Sequence, residues 1–411
     1  MSVIHPFKAI RPTRDKAQLV STRPLTAYRK HILRAKLDEN PYTFLHIIHP
    51  EGDKEHHSKA NSVERFEAVK TRYDSFIDQG ILIQDTEESF YIYRQTKGTH
   101  QFTGVIAGVS IEEYKNDLIK KHEATITSRE SMFTNYLNIT GFNAEPVLLA
   151  HKHLPELDKY FDKVTKVRPE YEFSTTDKIK HELWVIDAEK DSKLISIYAD
   201  LDELYIADGH HRSASSARLK DTIIKNGQPQ FPNQDFFLAY LIDEQKLEIL
   251  EFQRLVKHLN GLTPKSFLKA CEAHFEIEEL KKARRPTQRH EIVCLLGREA
   301  YSFKPKKDIA LEKDVVKQLD AQILTDYILT PILGIEDLKT SKDIDFIPGT
   351  KELKKVVDLV KKDDFKVGFL LYPASINEVK EVADQGGIMP PKSTWVEPKM
   401  RSGLTIYNIN E

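Results

Sequence analysis

Six consecutive residues carry the densest chemistry in the chain: Asp208-Gly209-His210-His211-Arg212-Ser213, directly after the apolar run LYIA. An apolar strand that stops at Asp208-Gly209 and gives way to helical spacing puts these residues at a helix N-terminus. There the first N–H groups lack intrahelical partners and the macrodipole is positive, so an anion is favoured. Gly209 lets the backbone approach a phosphate closely. Arg212 can grip phosphate oxygens bidentately, His210 and His211 can donate hydrogen bonds, and Ser213 adds a hydroxyl. Asp208 is the misfit, because a carboxylate beside a phosphate is repulsive unless it binds Mg²⁺ or takes a proton from a substrate hydroxyl. That misfit points to transfer chemistry. Two other readings use the same residues. In one, Asp208 caps the helix, Gly209 makes the turn and the rest faces solvent. In the other, Asp208, His210 and His211 ligate the metal of a hydrolase, a reading weakened because adjacent histidines diverge on most backbones.

A second candidate is Lys121-His122-Glu123-Ala124-Thr125, with Arg129 shortly after. Position 126 is Ile, so the HExxH zinc pattern fails. His122, Glu123 and Arg129 can instead act as base and anion clamp; the plainer alternative is an exposed, charged helix start. A third is Lys392-Ser393-Thr394 with Lys399, after Gly386-Gly387 and Pro390-Pro391. Pro391 stands where a Walker A motif has its second glycine, and there is no GxGxxG. Lysine and hydroxyls in a rigid proline turn can still bind phosphate, with a plain surface loop as the alternative. His56 and His57 lie in the polar stretch EGDKEHHSKAN, which reads as a solvated loop rather than a metal site.

The elements around these residues alternate between short strands and helices, which predicts an α/β (α+β) body with mixed sheets. Strands are expected over 44–49, 89–95, 145–150, 181–186, 194–198 and 204–207. A helix is expected where Val63, Phe66, Val69, Tyr73 and Phe76 recur behind Asn61 and Ser62. Ala214, Ala217, Leu219 and Ile223 predict another, ending before Asn226-Gly227. Further on, Thr263-Pro264 reads as an N-cap with proline at the first helical position, and Ser375 with Glu378 as a capping box. Leu353, Val356, Val357 and Val360 mark a helix and Val367 to Tyr372 a strand, whereas KKARRPTQR reads as a solvated connector. The expected segments are 1–120, 121–260 and 261–411.

Composition narrows the function classes. The chain has 411 residues, with 61 Lys+Arg against 63 Asp+Glu for a formal charge of −2, so no global positive excess is available to hold a nucleic acid. Cys271 and Cys294 are too few for a disulfide framework and form no CxxC pair, which removes most cysteine-ligated zinc sites and points to a reducing compartment. The longest apolar run, Phe236 to Ile242, is far shorter than the roughly 18 residues of a membrane span. The start MSVIHPFKAIRP has no signal-peptide apolar region, and the expectation is a cytoplasmic protein without membrane or nucleic-acid partners.

Taken in order, FKAIRP, KHEAT with Arg129, NAEPVLL, HELWVI, LYIADGHHRSAS and MPPKSTWVEPK with Gly403 resemble the domain-of-unknown-function 1015 family across nearly the whole chain. The stretch EFQRLV around Arg254 departs from the proline-threonine-histidine-arginine pattern of many relatives. The DGHHR segment is also similar to the phosphate-binding element of the ParB/sulfiredoxin-like superfamily, which includes free serine kinases. The resemblance implies a ParB/sulfiredoxin-like core at 121–260 and a Mg²⁺-dependent phosphotransferase making O-phosphoserine from L-serine. Its donor would be pyrophosphate, ADP or ATP. Asp208 and Glu123 are then the two carboxylates in anion-binding company, Asp208 towards the donor and the metal, Glu123 towards the acceptor, with His210 as a further acid–base group. Without an adenine signature, the separate basic segments favour a compact donor such as pyrophosphate. A ParB-like nucleotide-binding regulatory module is the alternative from another class.

Overall fold

The computed structural model describes residues 4–50, 58–310 and 312–411, so His56 and His57 lie outside the described residues. The chain divides into two compact units. The first takes Met1–Lys120, Thr125–Leu247 and Pro398–Glu411; the second takes Lys121–Ala124 and Glu248–Glu397. Both combine helices with β-sheet, as the alternating periodicity predicts.

A nine-stranded mixed sheet forms the centre of the first unit, in the order Ile119–Lys120, Leu204–Asp208, Val147–His151, Phe236–Asp243, His100–Ser110, Ser89–Lys97, Ile179–Asp187, Tyr171–Ser174, with Ile4–His5 also paired to His100–Ser110. The strand Leu204–Asp208 runs parallel to Ile119–Lys120 and antiparallel to Val147–His151. Runs such as FFLAYLI are apolar without alternation because the central strands are covered on both faces. On one face Phe90, Ile92, Val105, Leu149, Ile206 and Leu241 pack with Leu157 and Phe161 of the helix Pro155–Val164. The expected separation of 1–120 from 121–260 is absent because strands from both stretches hydrogen-bond within this one sheet.

Most elements around the DGHHR segment form where their spacing predicts. Ser62 caps Val63–Asp78 by accepting from the Arg65 N–H, and Phe66, Val69, Tyr73 and Phe76 are buried. The helix His210–Lys225 ends before Asn226-Gly227. Two expected strands are helices instead. Leu45–Ile48 is a short helix, and Lys193–Ala199 buries Leu194, Ile197 and Tyr198 while Ile195 is exposed. Four- to six-residue apolar runs satisfy either geometry, and the spacing of the buried positions in the second run fits a helical face.

The second unit is built on a six-stranded antiparallel sheet ordered Phe275–Glu279, Glu299–Pro305, Ile292–Leu296, Val367–Leu370, Phe252–Val256, Ile344–Pro348. Thr263 caps Pro264–Cys271, and Ser375 and Glu378 close the capping box of Ile376–Asp384. The basic stretch is not simply solvated: Arg284 pairs with buried Glu291 at 2.5 Å, and Arg285 pairs with buried Glu251. On the strand Phe252–Val256, Arg254 is 1 % exposed and donates to the carbonyls of Phe252 and Lys392. Burial pulls its pKa down to about 9, against the opposing pull of Asp320. Among the described residues, no helix is long and apolar enough to cross a membrane.

The returning segment Pro398–Glu411 is stitched into the first unit by paired backbone bonds of Thr22 with Ser402 and Ile10 with Ile406. Gly403 turns it at φ +80, and a Cβ there would lie 2.6 Å from the Phe44 ring. Gly403→Ala should therefore cost about 2–4 kcal/mol through backbone strain and overpacking. Urea denaturation of the full chain measures this, and an unchanged midpoint would mean that Phe44 yields freely.

Candidate functional site

The strand Leu204–Asp208 carries a bulge at its end: Ile206 lies opposite Leu149 and Asp208 opposite Leu148, leaving Ala207 as the extra residue. Such a bulge re-aims the side chains that follow it. Gly209 comes next with φ 108, a left-handed conformation, and its carbonyl accepts from the N–H groups of Arg212 at 2.8 Å and Ser213 at 3.1 Å. The positive φ favours glycine here, and a Cβ would sit 2.9 Å from the Arg212 guanidinium, which would have to shift. The result is a carboxylate at a strand end, joined by one residue to the positive end of a sixteen-residue helix.

Lys399 of the returning segment donates to Asp208 Oδ2 at 2.7 Å, and Arg212 Nη2 stands 3.7 Å from Oδ1. The backbone carbonyl of Lys399 accepts from Gln95 Nε2 at 3.2 Å, which anchors the segment to the strand Ser89–Lys97. Burial alone would push the Asp208 carboxyl up, but the charges of Lys399 and Arg212, with His210, outweigh it and hold the group at about 2. Asp208 is therefore a carboxylate throughout the physiological range and a poor proton acceptor. Lys399, which the sequence grouped with Lys392, is placed instead on Asp208.

Arg212, expected to grip phosphate oxygens, is engaged by the protein itself. Its side chain is 21 % exposed, its Nη1 donates to the Pro146 carbonyl at 2.5 Å, and it pairs with Glu145 Oε1 at 2.8 Å. Glu145 also accepts from Ser402 Oγ at 3.3 Å. Lys399, Asp208, Arg212, Glu145 and Ser402 thus close a ring, since the first and last lie on one segment. Glu145 was missed as a site residue, although it stands inside the NAEPVLL stretch. Ser213 is also corrected: it is fully buried, and its hydroxyl donates to the His210 carbonyl at 3.1 Å rather than facing a ligand. His210 is buried and His211 half-buried.

Arg129 lies exposed on the helix Thr127–Thr140 of the first unit, which starts after Ile126 rather than at Lys121. His122 and Glu123 fall in the second unit; His122 is buried, its carbonyl accepts from the Met389 N–H at 2.9 Å, and Glu123 is exposed. Lys392, Ser393 and Thr394 also belong to the second unit. There Lys392 sits over the Phe252 ring, and Ser393 donates to the Pro390 carbonyl at 2.7 Å. Among the described residues no three His, Cys, Asp or Glu side chains stand together as a metal cage, so Asp208, His210 and His211 do not form the hydrolase site considered from their types.

Beside Arg212 and Glu145 opens an apolar cavity of about 220 Å³, with Phe44, Phe133, Tyr136 and Phe142 in its wall. Its lining comes from distant stretches of chain, so no contiguous motif marks it.

The family described as "Protein of unknown function (DUF1015)" matches residues 4–322. The chain belongs to this family. No curated protein matches it. Among solved structures, a free serine kinase variant in complex with ADP is similar at 13 % identity and a TM-score of 0.38, covering 74 % of this chain and 92 % of that one. SbnI with a C-terminal truncation, from Staphylococcus aureus, is similar at 12 % identity and a TM-score of 0.39, covering 74 % and 87 %. A conserved hypothetical protein from Pyrococcus furiosus is similar at 15 % identity and a TM-score of 0.35, covering 73 % and 95 %.

In this DUF1015 chain the ring makes two measurable demands. Arg212→Ala should lower stability by about 1–3 kcal/mol, because it removes charge-assisted bonds to Pro146 and Glu145; unchanged urea denaturation would show those bonds to be idle. Lys399→Met should return the Asp208 carboxyl towards the usual value of about 4, read by side-chain NMR titration. A depressed carboxylate stabilises the fold above its unfolded pKa and loses that contribution as pH falls through about 2. The Lys399→Met chain should therefore begin to unfold at a higher pH on acidification than the parent.

Proposed function

We propose that the chain is a phosphotransferase that moves a phosphoryl group onto a small hydroxyl compound, with L-serine as acceptor and O-phosphoserine as product. The carrying observation is the Asp208 carboxylate at a helix start, between Lys399 and Arg212. A plain anion site has no use for a carboxylate, whereas transfer chemistry has one. The choice of serine rests on the resemblance of LYIADGHHRSAS to the element of free serine kinases. Pyrophosphate, ADP and ATP are the donors to be tried.

In this reading Gly209, His210 and His211 present the helix start to the donor, and Arg212 and Lys399 supply charge to its phosphates. Transfer breaks the bond from phosphorus to the leaving phosphate while the serine oxygen forms a new one, and the hydroxyl proton passes to a base. With its pKa at about 2, Asp208 is a poor base and suits a positioning and metal-holding role. Mg²⁺ held largely by donor phosphates needs only one or two protein carboxylates, and Asp208 as a hard oxygen donor fits that demand. The ion would neutralise charge on the phosphates. Glu123, the carboxylate that the resemblance places towards the acceptor, is then the candidate base, to be tested on its own.

Purified full-length protein should form phosphoserine when given serine, Mg²⁺ and one of the three donors. If no donor gives product, the serine assignment falls. Asp208→Asn and Glu123→Gln should each lower kcat by about a hundredfold or more, and near-normal turnover in either variant removes that residue from the mechanism. Nucleotide binding without turnover, accompanied by a change of oligomeric state, would instead favour a regulatory module.

A further inference from the structure

Within the first unit, a cavity of about 150 Å³ has Arg23, Lys36, Thr22, Ser21, Asp177 and Arg401 in its wall. Two features set it apart from an ordinary surface cleft. The Arg401 side chain is 5 % exposed, its Nη2 donates to Asp177 at 2.8 and 3.0 Å and to Thr175 at 3.2 Å, and its buried Nε–H finds no acceptor among the described residues. The buried Ser21 hydroxyl has no partner among the described residues either. Polar groups left buried without partners cost free energy, and a ligand that satisfies them recovers it.

The charges specify the ligand. Asp177 is saturated by Arg401, by the Thr175 hydroxyl at 2.5 Å and by Arg23 at 3.8 Å. Lys36 makes no ion pair among the described residues and lies over the Tyr28 ring at 5.9 Å, as Arg23 does at 5.5 Å. Three cations therefore face two carboxylates, of which Asp177 is spent and Glu39 is exposed at the wall. The surplus is positive, and the unpartnered Arg401 Nε–H and Ser21 hydroxyl can both donate.

We propose that this cavity binds a compact oxyanion, the carboxylate or phosphate group of a small metabolite, through Arg401, Lys36 and the Ser21 hydroxyl. The site is separate from the ring around Asp208, and the proposal does not depend on the phosphotransferase reading. It would nevertheless act on it, since Arg401 lies two residues beyond Lys399 on the segment tied to Thr22 by paired backbone bonds. A bound oxyanion would hold that segment, and with it the lysine on Asp208, in place.

Calorimetric titration of the full chain with inorganic phosphate, and separately with L-serine, tests this in the parent, in Lys36→Met and in Arg212→Ala. Binding of either compound that survives Arg212→Ala and weakens about tenfold or more in Lys36→Met, the loss of one charge-assisted hydrogen bond, supports the site and identifies whether phosphate or carboxylate fills it. Lys36 is partly exposed, so its loss should leave folding intact. Arg401→Gln, checked for folding by circular dichroism, should weaken binding further. Absence of binding by both compounds, or binding lost in Arg212→Ala and unaffected by Lys36→Met, overturns the proposal. A failed kinase assay with intact binding would fault the functional reading alone.

Discussion

Asp208 has a partly exposed carboxylate whose desolvation pushes its pKa upward and whose neighbours keep it charged. The balance is electrostatic: desolvation pushes the pKa up, and Lys399 and Arg212 bring it down to about 2. Each partner is in turn fixed from elsewhere, Arg212 by Glu145 and the Pro146 carbonyl, Lys399 by the bond from Gln95 to its own backbone. The rest of the first unit can be understood from this requirement. The sheet brings the ends of Leu204–Asp208 and Val147–His151 side by side, the bulge re-aims Asp208, and the returning segment supplies the cation. Removing one partner leaves the carboxylate less compensated, at a cost that its partial exposure to solvent moderates.

How much of this is legible in the chain depends on sequence distance. The strand, turn and helix around DGHHR are contiguous and follow local rules: apolar strand, glycine in the left-handed region, helical periodicity. Caps at Ser62, Thr263 and Ser375 are legible for the same reason. The helices at Leu45–Ile48 and Lys193–Ala199 are not, because a short apolar run records burial without recording geometry. The pairing of Lys399 with Asp208 spans 191 positions, and nothing in MPPKSTWVEPK says which carboxylate its lysine will meet. The same holds for Glu145 with Arg212, 67 positions away by its backbone contact. Residue types suggest an anion site, whereas the contacts around Asp208 come from tertiary packing alone.

Side-chain type also overstates availability. Ser213 and Arg212 read as ligand-binding groups, yet the hydroxyl turns inward to a carbonyl and the guanidinium is shared among Glu145, Pro146 and Asp208. A helix start must satisfy its own polar groups before it can serve a ligand.

The first unit is discontinuous, interrupted by Glu248–Glu397 before Pro398–Glu411 completes it. During synthesis the sheet strands and the helix behind Asp208 emerge long before Lys399 does, and domains fold as their chain becomes available. Until the ribosome has made the whole intervening unit, Asp208 sits in a forming core without its strongest counter-charge, and its carboxyl would hold a proton more readily than in the finished protein. The ion pairing of the site is thus completed late in biogenesis, when the lysine reaches a carboxylate already held by Arg212.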